Sequence, residues 1–358
     1  MALKESMKIA LDISPLSSGH KVRGVGFYVK YLMEALVKHD SLHEYQFFNT
    51  ISEVKSADII HIPYFDPFFR HLPILKKAPT VITIHDLTPI KFPSQFPVGM
   101  KGSALWQVNK RLALLSSAII TDSNSSTNDV IELMGARRER VHTVYLAPGD
   151  QYSSRATSSL QIKDLIKKYR LPKDFVLYVG DVTWNKNLPR IVEAVIKARI
   201  PLVLVGKAIA NTDFDRSHPW NADLLAVQKL IHGNNDLYVL GFVPDDELKA
   251  LYAHAKAVLL PSLYEGFGLP VVEAMASGCP VITSKMGSLS EVAGNAAYFV
   301  DPYSIEAIAD GIKDVFQSKS LQAQLRKSGH IQVEKFSWKK TALATIDVYE
   351  KVIMGKSL

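Results

Sequence analysis

The strongest constraint in this sequence is an alternation that runs its course twice. Short apolar runs alternate with segments of helical period from Lys8 to Val144, stop, and begin again at Phe175. In the first half, Lys8–Ser14, Ile59–Ile62, Thr80–His85, Ala118–Thr121 and Val141–Val144 read as strands. The spacing predicts helices over Gly24–His39, Ser103–Ser117 and Ser125–Met134. The strand runs are continuously apolar, which suits parallel strands buried on both faces. In the second half, Phe175–Gly180, Leu202–Gly206, Leu237–Leu240, Ala257–Pro261 and Val281–Ser284 repeat the pattern, with helices between them. Such alternation specifies an α/β layer structure with a parallel sheet.

The interruption lies at Ala147–Ser159, a stretch rich in Ser, Gly and Pro with almost no apolar periodicity. It divides the chain into an expected domain over residues 1–150, a linker over 151–172 and a second domain over 173–336. A total of 358 residues suits two domains. Two doubly wound domains in tandem would set a cleft between the carboxyl ends of two sheets, where open α/β sheets bind ligands.

Composition removes several function classes. The single cysteine, Cys279, excludes a disulfide framework and a multi-cysteine zinc site, and reads as a small buried hydrophobe. His61, Asp66 and His71 are scattered among prolines and form no convincing metal motif. The net charge of +7 is spread evenly over both halves, so nucleic acid is not an expected partner. The excess suits a phosphate-bearing ligand or an anionic membrane surface. No apolar run is long enough to span a bilayer, and Met1–Ala10 lacks a secretory apolar region, so the expected address is cytoplasmic.

The most informative stretch runs from Tyr264 to Gly278, YEGFGLPVVEAMASG. It follows a predicted strand. Gly266 and Gly268 let the backbone approach a ligand closely. Pro270 suits a helix start, and the N–H groups of the turn from Gly266 through Phe267, Gly268 and Leu269 into that helix form a seat for a phosphate. Glu273, in the first turn, can accept hydrogen bonds from a diol such as a ribose. Glu265 precedes the glycines at the strand mouth. Lys186 sits in a polar turn after a strand ending at Gly180, where a flexible ammonium can reach a phosphate. His85 stands at the carboxyl end of the run TVITIH. Arg23-Gly24-Val25-Gly26 lacks the third glycine and the tight turn of a dinucleotide fingerprint.

With these residues, Glu265-x7-Glu273 inside EGFGLPVVEAMASGCPVITS resembles the signature of the family 4 retaining glycosyltransferases. Gly24-Val25-Gly26 resembles that family's N-terminal glycine loop, VITIHDL its acceptor-domain strand, and Val179-Gly180…Lys186-Asn187 its phosphate-binding turn. LGFVP at Leu240–Pro244 and Phe336-Ser337-Trp338 also fit. The resemblance implies a GT-B fold: two Rossmann-like doubly wound domains facing a cleft, with the C-terminal helix (337–358) crossing back to the N-terminal domain.

It also implies roles. Glu273 would bind the nucleotide ribose, Glu265 the hydroxyls of the donor sugar, and Lys186 the diphosphate. The backbone of Gly24, with Gly26 beside it, would meet the same diphosphate. His85 would sit by the transferred sugar, holding a hydroxyl or stabilising positive charge at the anomeric carbon, and Phe242–Val243 would lie by the base. The implied donor is a nucleotide diphosphate sugar, with GDP-mannose favoured over UDP-hexoses and dTDP-rhamnose, used without a metal or a prosthetic group. The implied acceptor is a glycan or a lipid-linked saccharide. The implied setting is bacterial surface-polysaccharide assembly.

One position departs from the family. Asp181 stands where an arginine often follows the glycine, so one phosphate cation is missing unless Arg190 or Lys285 replaces it. Asp181 therefore keeps open a catalytically weak nucleotide-sugar-binding protein. The cationic, amphipathic Val98–Leu115, with Lys101, Lys110 and Arg111, keeps open a peripheral membrane scaffold on the inner face of the cell membrane.

Overall fold

The computed structural model describes residues 5–19, 24–73, 78–153 and 159–355. The chain divides into two compact units, Met1–Ala147 with Phe336–Leu358, and Pro148–Lys335.

In the first unit the strands are β1 (Lys8–Asp12), β2 (Glu44–Phe48), β3 (Ile59–Ile62), β4 (Thr80–Ile84), β5 (Ala118–Thr121) and β6 (Val141–Thr143). They form one parallel sheet in the order β2-β1-β3-β4-β5-β6. β3, β4 and β5 are buried along their whole length, as their continuous apolar runs require. β2 went unrecognised in the sequence because its run EYQFF is polar and half exposed, as befits an edge strand. The register places Ile84 of β4 beside Thr121 of β5, so the residues that follow each strand, His85 and Asp122, leave the sheet as neighbours.

The helix Trp338–Ile353 belongs to this first unit and packs on the helix Gly24–His39. Ser337 caps it by accepting from the Lys340 N–H. Trp338 rests against Tyr31 with ring centroids 5.3 Å apart. Deeper in, Tyr349 Oη lies 2.6 Å from Nδ1 of His61, whose Nε2 lies 2.8 Å from Thr83 Oγ1. His61 is fully buried and its basicity falls to a pKa of about 3, because burial disfavours the cation and His85 adds a like charge. It is a satisfied core histidine and not a metal ligand.

In the second unit the strands are β7 (Val176–Val179), β8 (Leu202–Val205), β9 (Leu237–Gly241), β10 (Ala257–Leu260), β11 (Val281–Thr283) and β12 (Tyr298–Phe299). Their order is β12-β11-β10-β7-β8-β9, again all parallel. The chain moves outward from β7 through β8 to β9, then returns to the other side of β7 with β10. The order therefore reverses between β7 and β10, the place where open parallel sheets part to admit a ligand. The stretch read as a linker over 151–172 differs from that reading. Ser159–Tyr169 is a helix, and the second unit begins at Pro148. Its sequence SLQIKDLIKKY is too polar to stand out, although Leu165 is buried. Residues 154–158 lie outside the described residues.

Candidate active site

The turn after β7 is built for close approach. A Cβ on Gly206, which follows β8, would fall 2.1 Å from the Gly180 carbonyl oxygen, so only glycine lets the two strand ends meet. Tyr178 donates its hydroxyl to the Asp181 carbonyl at 2.6 Å and pins the next residue. The chain then makes a short 3-10 turn over Trp184–Lys186, and Asn187 takes up a left-handed conformation at φ 61°. Two buried asparagines flank Lys186. Asn185 donates to the Tyr264 carbonyl at 3.0 Å, and Asn187 to those of Pro261 and Pro302 at 3.0 and 2.7 Å. Both tie the Lys186 turn to the loop that follows β10.

Lys186 and Glu265 meet there as an ion pair. The ammonium lies 2.9 Å from Oε1 and 2.7 Å from Oε2. Ser262 donates to Oε1 at 2.7 Å, so that oxygen holds two donors and Oε2 one. Ser288 fixes the loop from behind, its hydroxyl donating to the carbonyls of Glu265 and Phe267 at 3.1 and 2.9 Å. Gly287 makes this contact possible. Its φ is +57°, and a Cβ there would fall 2.6 Å from the Glu265 carbonyl oxygen. Asn185, Ser262, Gly287 and Ser288 were all missed in the sequence.

Gly268 ends the loop at φ +94°, with Leu289 only 2.8 Å from where a Cβ would stand. The helix Leu269–Ala276 follows, with Pro270 in its first turn. The N–H groups of Gly268 and Leu269 have no hydrogen-bond partner among the described residues, and they open toward the helix N-terminus, where a negative group is favoured. Phe267 is buried, so its ring serves the core and its backbone alone remains for a ligand, as with Gly266. Glu273 accepts from Tyr252 Oη at 2.9 Å. Burial pushes its carboxyl up to about 7; the Tyr252 hydroxyl works against this, and Asp245 adds to it.

The outer candidates separate. Phe242 is 60% exposed and Val243 is 3% exposed, so only the Phe242 ring is open to a base, while Val243 belongs to the core. Arg190 is engaged with Asn187, donating to Oδ1 at 2.9 Å. Lys285 stands 5.6 Å over the Phe299 ring. Asp181 is exposed, and the atom held in the turn is its carbonyl oxygen, so its carboxylate is free to face water.

In the first unit Gly24 and Gly26 form the first turn of the helix Gly24–His39 and not a loop ahead of it; Arg23 lies outside the described residues. His85 sits just beyond β4. Its Nδ1 lies 2.7 Å from Asp122 Oδ2, its Nε2 lies 3.2 Å from the Pro63 carbonyl oxygen, and its ring stands nearly perpendicular to that of Tyr28, with centroids 4.7 Å apart. Burial alone would depress its basicity, but the carboxylates of Asp122 and Asp86 more than offset this and hold it above the ordinary imidazole value. An imidazolium donates to an oxygen. A protonated ring would not stabilise a developing positive charge, the other of the two expected roles. Asp122 was missed, although the strand ends TIH and ITD carried the signal. Among the described residues no group of His, Cys, Asp and Glu could hold a metal ion, and no helix is long and apolar enough to cross a membrane.

The family Glycosyl transferases group 1 matches residues 161–332, and Glycosyltransferase Family 4 matches residues 47–147. The O-antigen chain mannosyltransferase B of Escherichia coli is 32% identical over 281 residues, covering 75% of this chain and 70% of that protein. The serotype-specific mannosyltransferase WbdA of Escherichia coli is 29% identical over 285 residues. That alignment covers 77% of this chain but only 34% of WbdA. Among solved structures, Anabaena Alr3699/HepE in complex with UDP and glucose has the same fold, with a TM-score of 0.70 at 19% identity over 95% of this chain and 98% of that one.

Proposed function

This chain belongs to the group 1 glycosyltransferases, and from that premise we propose that it moves a mannosyl group from GDP-mannose to a glycan or lipid-linked acceptor with retention of configuration. It is a glycosyltransferase that uses a nucleotide-sugar donor. The observation that carries the nucleotide-sugar reading is the array of Lys186 and Glu265 on the loops after β7 and β10 with Glu273 on the helix Leu269–Ala276, where the strand order reverses.

The donor would sit on the second unit. Its diphosphate would take the Lys186 ammonium and the N–H groups of Gly268 and Leu269, three donors aimed where charge grows as the phosphate leaves. Glu273 would accept from the ribose diol and Phe242 would lie on the base. Glu265 would exchange part of its bond to Lys186 for a hydroxyl of the sugar. Glu265 is a poor nucleophile, since both oxygens already accept hydrogen bonds. That supports front-face displacement: the bond from the anomeric carbon to the phosphate oxygen breaks, the acceptor oxygen bonds on the same face, and its proton passes to the leaving phosphate. No step in this account needs a metal. His85 of the first unit would donate to an oxygen of the reacting sugars. Mannose is favoured because the two similar proteins, the O-antigen chain mannosyltransferase B and the serotype-specific mannosyltransferase WbdA, are mannosyltransferases by name.

The helix Gly99–Leu114 supports peripheral attachment to an anionic leaflet. It contains no Asp or Glu, and exposes Met100, Val108, Lys101 and Arg111, with Leu115 just beyond its end. The test of the function is release of nucleoside diphosphate from GDP-mannose, UDP-hexoses and dTDP-rhamnose, each with and without EDTA and with a saccharide acceptor supplied. Fastest release from GDP-mannose is the expected result. A faster UDP- or dTDP-sugar would overturn the mannose assignment, and activity lost to EDTA would overturn metal independence.

A further inference from the structure

We propose that Asp122 is a positioning residue that holds His85 as a doubly protonated imidazolium, with Nε2–H presented as a donor to a substrate oxygen. This rests on the reading of His85 as a residue at the reacting sugars. The Pro63 carbonyl can only accept, so Nε2 carries a hydrogen. Asp122 is buried, its Oδ1 has no hydrogen-bond partner among the described residues, and His85 is the cation that pairs with its other oxygen. A buried carboxylate left without its cation is strongly destabilising, so the second proton belongs on Nδ1.

The backbone around Asp122 is fixed. Thr121 ends β5 and its hydroxyl lies 2.6 Å from that of Thr127. Ser123 caps the helix Asn124–Met134, accepting from the Ser126 N–H at 3.0 Å. Burial pushes the Asp122 carboxyl up, and the His85 cation and the helix N-terminus just beyond it work against this. Ser126 also donates its hydroxyl to the His85 carbonyl at 2.8 Å, so the same helix start holds both members of the pair. The other groups around the ring do not compete for the proton. Tyr28 stands at a right angle to the ring, and its hydroxyl lies 3.1 Å from Thr83 Oγ1. His61 is held neutral between Tyr349 and Thr83. Asp86 adds negative charge and receives the Thr88 N–H at 2.8 Å. The Nε2 contact to Pro63 is long at 3.2 Å, so a substrate oxygen can share or replace it, and the His85 side chain is 19% exposed for that purpose.

The experiment uses the full chain labelled with 15N-histidine, with His85 assigned by loss of its signals in His85→Gln. The expected result is an imidazolium signature, with protons on both ring nitrogens at neutral pH, that gives way to a neutral tautomer in Asp122→Asn. In turnover assays, Asp122→Asn should lose kcat by roughly tenfold more at pH 8 than at pH 6, because the cation is then lost as pH rises. Affinity for nucleoside diphosphate should stay unchanged, and Asp122→Glu should restore part of the wild-type profile. A neutral ring in the wild type, or kcat profiles that superimpose in wild type and Asp122→Asn, would overturn the proposal. Absence of turnover in the wild type with every nucleotide sugar would instead overturn the catalytic reading, and the wild-type spectrum would still decide the state of the pair.

Discussion

Glu265 in the second unit and Asp122 in the first are both carboxylates at strand ends, each paired with a cation at 2.7 Å. What surrounds them differs. Glu265 has its two oxygens covered by Lys186 and Ser262, and its backbone carbonyl held by Ser288. Asp122 has one oxygen on His85 and the other with no partner among the described residues. A carboxylate held by several donors keeps its place when a substrate borrows one of them. A carboxylate held by one cation fixes that cation's charge instead. The first arrangement suits a group that must exchange partners with a sugar hydroxyl, and the second suits a group that must stay protonated.

The largest expected effect comes from Lys186→Ala. It removes the diphosphate cation and leaves Glu265 with Ser262 alone, so kcat/KM should fall by about 10²–10³-fold in initial-rate assays. Ser262→Ala sharpens the comparison. Lys186 still covers both oxygens, so the loss should be only about fivefold, in line with one neutral hydrogen bond. Equal losses in the two variants would break the idea that Glu265 is held redundantly.

Next in size is Gly287→Ala. Its methyl would meet the Glu265 carbonyl oxygen at 2.6 Å in a left-handed backbone. Thermal unfolding should show a loss of about 1–3 kcal/mol, together with a raised donor KM as the loop shifts. An unchanged melting temperature would mean that the loop is free to move.

Glu273 offers a pH test of comparable size. Its carboxyl value of about 7 stands above the ordinary 4.5. The stability it contributes is therefore complete below about 4.5 and lost as pH rises through 7, a change on the order of 3 kcal/mol. Glu273→Gln should flatten that part of the melting-temperature profile between pH 5 and 8. A profile identical to the wild type would remove the buried carboxyl as its cause. The smallest effect belongs to Asp181→Asn. Its side chain faces water while its carbonyl is held by Tyr178, so donor KM should change by less than about threefold. A larger change would bring the carboxylate back as a phosphate-repelling group.

The two regions were unequally legible in the sequence, for a physical reason. Gly266, Gly268, Pro270 and Glu273 lie within one strand–turn–helix unit, so local rules for glycine, proline and helix starts were enough to read them. The residues that steady that unit come from other loops. Gly287 and Ser288 follow β11, and Asn185 follows β7; nothing in their own neighbourhoods requires them to be what they are. His85 and Asp122 become neighbours only because Ile84 of β4 stands in register with Thr121 of β5. The Phe242–Val243 segment was taken as one feature, yet adjacent residues point to opposite environments, and burial separates them. The helix Ser159–Tyr169 escaped notice because its run is polar enough to pass for linker.

The central claim is that the second unit binds the diphosphate and ribose of the donor through Lys186 and Glu273. The most direct measurement is a thermal-shift titration of GDP, UDP and dTDP into the wild type, Lys186→Ala and Glu273→Ala, with EDTA throughout. The account predicts that one nucleoside diphosphate stabilises the wild type by about 2.7 kcal/mol at 100 times its dissociation constant, and that both variants lose most of this shift. No shift with any of the three, or an equal shift in all three proteins, would contradict it.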